Sequence, residues 1–200
     1  SDKYAVVDDG VRFAEGEVTK DYRVAMQQPR VSVYLTYNGA IENNAKNRLI
    51  LNLLSRALDS RYMVSIREEK GGTYGVHVQD AIDEEPMERY ILLIVFDTNE
   101  ELADELVDIC YAEIQKIAEN GPLADDIAKS KEFLMKNYSN VLENNSGWVS
   151  AIDRWYEEGY NFKEEYLGIL ESITLEDVQA MAKKLLEDGN RTLVMMRPER

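Results

Sequence analysis

Residues 66–76 read IREEKGGTYGV, and the patterns on either side of this stretch decide the fold. Upstream, from Glu42 to Ser60, Leu49, Leu53 and Ala57 form one stripe with Ile50, Leu54 and Leu58 beside it, which is the period of an amphipathic helix. Downstream, TYGVHVQDAI and RYILLIVFDT read as strands, and the DEEPME between them suits an antiparallel hairpin. Gly71 and Gly72 let the backbone turn sharply between the two periods. The stretch is a joint from helix to strand, and it carries an arginine and a tyrosine, Arg67 and Tyr74, seven positions apart.

The order of elements extends outward from that joint. Residues 11–25 mix β-branched and polar side chains and predict one or two edge strands. In RVSVYLTYNG, residues 30–39, Val31, Val33 and Leu35 alternate with Ser32, Tyr34 and Thr36, giving a strand with one buried face. The apolar run from Ile91 to Phe96 points to the centre of a sheet. Thr98 and Glu101 have the spacing of a capping box, predicting a helix to about Ala118 that Asn120-Gly121-Pro122 stops. Further helical patterns cover residues 123–143, GWVSAIDRWYEEGY with a break at Gly159, NFKEEYLGILES, and TLEDVQAMAKKLLEDGN. Thr174 and Asp177 form a second capping-box pair, and Gly189-Asn190 ends the last helix before a final strand, RTLVMMR. The whole reads as one α+β domain over residues 1–200, a largely antiparallel sheet with helices packed on one face.

Composition narrows the chemistry. With 23 Lys and Arg against 38 Asp and Glu the formal charge is −15, which repels nucleic-acid backbones and anionic membranes. No window approaches the roughly twenty apolar residues of a membrane span, and SDKYAVVDDG lacks a signal-peptide pattern. Cys110, the single cysteine, falls on an apolar helix stripe with Leu102, Leu106 and Ile114 and reads as core. The sequons at Asn137, Asn144 and Asn190 read as chance matches.

Catalytic equipment is sparse. A zinc peptidase of the H-E-x-x-H or H-x-x-E-H kind needs two imidazoles one helical turn apart, whereas His77 is the one histidine and stands in a strand. With Val76 and Val78 on the opposite face, it reads as a partly solvated sheet residue. G-x-S-x-G and phosphate-loop motifs are absent, and paired carboxylates such as Glu68-Glu69 and Glu84-Glu85 are expected in so acidic a chain. Trp148, Trp155, Tyr156 and Tyr160 could wall a ligand site, but their helical spacing favours core and interhelical packing.

The element order, the helix NRLILNLLSRALDSRYMVSIREE, the GGTYGV that follows, and GPLADDIAKSKEFL further on resemble a domain of the pitrilysin and insulysin family of zinc metallopeptidases, the inverzincins. The sharpest part of the resemblance is REEKGGTY, which contains Arg67 and Tyr74, with no H-x-x-E-H anywhere. That pattern resembles the family's C-terminal, non-catalytic kind of domain, a fragment of a longer protein. The resemblance implies a zinc-bearing homologous domain as partner, in the same chain or a separate subunit, with zinc in that half and no metal in this one. It also implies a peptide substrate, bound as an added strand at a sheet edge, and a periplasmic or secreted setting. Attack on a peptide carbonyl builds negative charge on its oxygen, and a phenol placed there stabilises that charge, which would make Tyr74 a catalytic donor acting in trans. Arg67 would bind the substrate backbone or brace Tyr74, since a guanidinium forks around carbonyl and carboxylate oxygens. The alternative is a degenerate peptidase-like domain with a binding or scaffolding role, in which both residues are structural.

Overall fold

Along Arg89–Thr98 every second residue is buried, Tyr90, Leu92, Ile94, Phe96 and Thr98, so RYILLIVFDT turns one face to the core and leaves the other less covered. The computed structural model describes residues 7–68, 70, 73 and 75–199. In chain order these form β1 (Glu17–Val24), β2 (Val31–Ala40), α1 (Ala45–Tyr62), a π-helical turn (Met63–Glu68), β3 (Val76–Asp83) and β4 (Arg89–Thr98). Then come α2 (Ala103–Asn120), α3 (Ala124–Glu143), α4 (Asn145–Glu158), α5 (Phe162–Ser172), α6 (Leu175–Glu187) and β5 (Arg191–Pro198).

The strands order as β1-β5-β2-β4-β3. All neighbours are antiparallel except β1 and β5, which run parallel. The α+β class and the largely antiparallel sheet are as the sequence predicts. The centre is β2 rather than β4, where Leu35 lies between Ile94 of β4 and Leu193 of β5. Residues 11–25 supply a single edge strand. Arg197, only 7% exposed at its side chain, ties that edge down: its Nε meets Asp21 at 2.9 Å and its Nη2 meets Asp104 of α2 at 2.6 Å.

Helices cover one face. Leu51, Leu54 and Leu58 of α1, Leu106, Cys110 and Ile114 of α2, and Val178, Ala182 and Leu185 of α6 share a core with Leu35, Leu92, Ile94 and Leu193 of the sheet. Burial pushes the Cys110 thiol well up, in keeping with an inert core cysteine.

Local signals set most element ends. Asn44 begins α1 by accepting from Asn47 N at 2.8 Å, and Thr174 and Asp177 close the expected box on α6. The box expected from Thr98 and Glu101 does not form. Thr98 is committed to β4, opposite Val31, and Asn99 Oδ1 instead accepts from Leu102 N at 2.9 Å just before α2. Two sequon asparagines have structural work: Asn144 caps α4 by accepting from Gly147 N at 2.7 Å, and Asn190 Oδ1 accepts from Gly16 N at 2.8 Å.

Candidate functional site

The amphipathic stripe read from Glu42 to Ser60 continues through Tyr62 and widens into the π-helical turn that carries Arg67, in keeping with the longer helix NRLILNLLSRALDSRYMVSIREE that the family resemblance implies. Leu54, Leu58, Tyr62 and Ile66 are all buried at steps of four. Four residues overshoot a 3.6-residue turn, so keeping all four on the core face calls for a wider turn near the end, and π geometry supplies it. Tyr62 anchors the joint by donating its hydroxyl to Cys110 O at 3.0 Å. One residue earlier, Arg61 Nε reaches Glu113 Oε2 at 2.9 Å, while Lys116 Nζ holds the other carboxylate oxygen at 2.8 Å. Burial pushes the Glu113 pKa up, but the Lys116 and Arg61 partners outweigh it and hold the carboxyl low. The carboxylate stays ionised, and the end of α1 is pinned to α2.

Beyond that clamp, Arg67 points to solvent. Its Nη1 contacts Met63 Sδ at 3.2 Å, and among the described residues it has no ion pair. A thioether is a weak acceptor, so among the described residues most of the guanidinium's donors are unused. Tyr74, with Glu69, Gly71 and Gly72, lies outside the described residues. At the strand side, Thr73 Oγ1 lies 3.0 Å from Gly75 O and accepts from Gly75 N at 3.2 Å. Val76, 8% exposed, then enters the core as the first residue of β3.

Three side chains on one face of α1 lock β3 in place. Asp59 Oδ1 accepts from Val78 N at 3.3 Å, Ser55 Oγ donates to Val78 O at 3.3 Å, and Asn52 Nδ2 lies 3.1 Å from Asp80 Oδ1. Both backbone groups of Val78 therefore face away from β4 and are already satisfied. This bears on the expectation of peptide adding at a sheet edge: at Val78 an incoming strand would have to displace α1 side chains. Burial pushes the Asp80 carboxyl up, opposed by Ser55, Asn52 and Arg56.

A cavity of about 410 Å³ lies among α1, β3, α3, α4 and α5, with Arg48, Asn52, Asp80, Arg154, Tyr160 and Tyr166 among its lining. Arg48 is held there by Glu158, Nη1 to Oε1 being 3.1 Å. No described residue of the Arg67 turn lines it. Asn52 and Arg67 are fifteen positions apart on what is nearly one helix, roughly 20 Å along its axis. The arginine and the cavity are separate places.

The other sequence candidates divide. His77 is exposed, as expected of a solvated sheet histidine. Among the described residues no group of three His, Cys, Asp or Glu side chains is arranged to hold a metal, so these residues do not fit a zinc site of the family's kind. The aromatic group expected to be core is corrected: only Tyr160 is buried, at 8% exposure, while Trp148, Trp155 and Tyr156 are exposed. Helical spacing identified a shared face, but α3 and α5, which pack on α4, leave Trp148, Trp155 and Tyr156 exposed. Met63, four positions before Arg67 on the same helix, is a contact that no motif singled out; its signal is the i, i+4 spacing.

Comparison with known proteins gives the chain a context. The family model described as the peptidase M16 inactive domain matches residues 8–134. An Arabidopsis thaliana protein named zinc protease PQQL-like is 24% identical over 205 residues, covering 92% of this chain and 21% of that protein. The crystal structure of the periplasmic protease PqqL from Escherichia coli superposes with a TM-score of 0.83 at 18% identity, covering all of this chain and 22% of that one. The crystal structure of the first half of PqqL also matches, with a TM-score of 0.72 at 12% identity over 93% of this chain. The chain spans about a fifth of the length of the Arabidopsis protein and of PqqL.

Proposed function

Because the chain belongs to the peptidase M16 inactive-domain family, we propose that it is the non-catalytic C-terminal domain of a longer zinc metalloendopeptidase, with residues 1–200 forming one domain of that protein. It would close over a homologous zinc-bearing half, and the metal and attacking nucleophile would belong to that half. This chain's part would be to enclose the peptide and present Arg67 and Tyr74 to it. The observation that carries the reading is the family match across residues 8–134, which contains the whole joint, together with an exposed Arg67 whose contact among the described residues is a thioether.

In this reading the guanidinium binds carbonyl oxygens of the peptide backbone. The Tyr74 phenol donates a hydrogen bond to the carbonyl oxygen as it gains negative charge, an interaction stronger in the transition state than in the ground state. The Glu113 clamp and the buried Tyr62 and Ile66 fix the base of the turn, so Arg67 is presented from a rigid element rather than a loose loop. A periplasmic or secreted setting fits the relative described as periplasmic. Among the described residues no helix is long and apolar enough to cross a membrane.

The test is steady-state peptidase kinetics of the complete enzyme, or of this chain with its zinc-bearing partner. Tyr74→Phe is expected to lower kcat by roughly a hundredfold with folding intact. Arg67→Ala is expected mainly to raise KM. Unchanged kinetics in both would reduce the joint to a structural turn and the domain to a wall of the chamber, which is the scaffolding alternative.

A further inference from the structure

The cavity of about 410 Å³ among α1, β3, α3, α4 and α5 has the size of a small-molecule site. Apolar walls alone would make it a packing gap, but its lining also holds donors that nothing described in the chain uses. Tyr160 follows Gly159, whose left-handed φ of 71° ends α4, and it is buried where the α4 residues before it are not. Its hydroxyl has no hydrogen-bond partner among the described residues. The unpaired side-chain polar atoms sealed from solvent there are Tyr37 Oη and Asn38 Nδ2, so the Tyr160 hydroxyl is reached through the cavity it lines. Burial pushes this phenol up to about 12, with Tyr166 adding to the rise and Arg154 and Arg48 opposing it. At neutral pH it is therefore an O–H donor beside two cations. Arg48 is neutralised by Glu158, whereas Arg154, exposed on α4, makes no ion pair among the described residues.

We propose that this cavity binds a carboxylate carried on a compact apolar body, with Arg154 and the Tyr160 hydroxyl holding the anion. A guanidinium forks around both oxygens of a carboxylate, and the phenol adds a further donor. In a chain of formal charge −15, a concave wall with an uncommitted arginine is a local exception that concentrates anions. The apolar body has Leu49, Ile82 and Leu134 to pack on. Asp80 supplies a polar contact of the opposite kind. Asn52 Nδ2 lies 3.1 and 3.3 Å from its two oxygens, and a carboxylate has more acceptor sites than one amide fills, so Asp80 can also accept from a ligand N–H. The C-terminal residue of a peptide has that pairing of carboxylate and N–H, and a small organic acid has the carboxylate alone. The site stands roughly 20 Å along α1 from Arg67 and depends on no role for Arg67 or Tyr74.

Saturation-transfer NMR titrations of the 200-residue chain, which has a contiguous core of its own, test the assignment. The probes are N-acetyl-phenylalanine, its C-terminal amide and phenylpropionate. N-acetyl-phenylalanine is expected to bind saturably, and the amide, which lacks the charge, roughly tenfold or more weakly. Arg154→Met and Tyr160→Phe should each cause a comparable loss for the acid and little for the amide. Circular dichroism should be unchanged in both, since Arg154 is exposed and the second variant keeps the buried ring. Phenylpropionate has no N–H and separates the sources: weaker binding than N-acetyl-phenylalanine assigns the site to a peptide C-terminus, and equal binding assigns it to a small organic acid. Absence of saturable binding at millimolar concentrations overturns the proposal, as does equal affinity for acid and amide. So does a loss with Arg67→Ala in place of Arg154→Met, which would move the binding to the helix-to-strand joint. The readout needs neither zinc nor peptidase activity, so the Arg67 and Tyr74 reading can fail while this one stands.

Discussion

Thr174 shows how much one side chain can specify. Its Oγ1 accepts from Asp177 N at 3.2 Å while Asp177 Oδ2 accepts from Thr174 N at 2.9 Å, closing a box readable from the T-x-x-D spacing. Thr174→Ala is expected to cost about 1 kcal/mol and lower Tm by roughly 2–4 °C in a differential scanning experiment. The Thr174 backbone N–H holds the Asp177 carboxyl below the usual carboxylate range. Its stabilisation is therefore present above the unfolded pKa and is lost as pH falls through the lowered value. Asp80 has the opposite sign, because burial raises its pKa. The folded protein keeps that proton longer than the unfolded chain, so stability declines as pH rises from the unfolded pKa through the folded one. Asp80→Asn is expected to flatten this slope, checked by urea midpoints between roughly pH 4 and 7. Nothing in the sequence distinguishes Asp80 from the other carboxylates, since its burial comes from α1 lying over β3.

Among the elements, α1 and its π-helical turn decide where Arg67 stands. The link to α2 is the Arg61 and Glu113 pair, with Glu113 only 3% exposed at its side chain and Arg61 35%. Arg61→Ala leaves Lys116 as partner to a buried carboxylate, at an expected cost of about 1–2 kcal/mol after allowing for the exposure of the arginine. Chemical denaturation would read that loss, and a drop in peptidase turnover of the complete enzyme beyond it would show that the clamp also positions Arg67. The early part of α1 was legible from its 3.6-residue stripe. Its continuation to Arg67 followed from the family resemblance and not from that stripe, because Leu58, Tyr62 and Ile66 step by four and leave the ideal face unless the helix unwinds. The missed cap at α2 has a similar origin: Thr98 satisfied a local motif, but pairing with Val31 in the sheet claimed it first.

For the whole molecule, the acidic surface and the absence of a second histidine limit what the chain can do alone. The purified chain is expected to carry no stoichiometric zinc and to cleave no peptide, checked by elemental analysis and a fluorogenic peptide assay. Zinc at one per chain with activity would overturn the proposed division of labour. The α+β class, the strand and helix order and the helix-to-strand joint with its arginine follow from the sequence, because periodicity, capping and turn residues act over a few neighbouring positions. Tertiary structure alone decided that β1 runs parallel to β5, that β2 lies at the centre, that α1 side chains occupy the β3 edge at Val78, and that the α4 aromatics face outward. Each of these depends on which distant segment arrives beside a residue, and a local pattern that makes a face apolar does not say what will cover it.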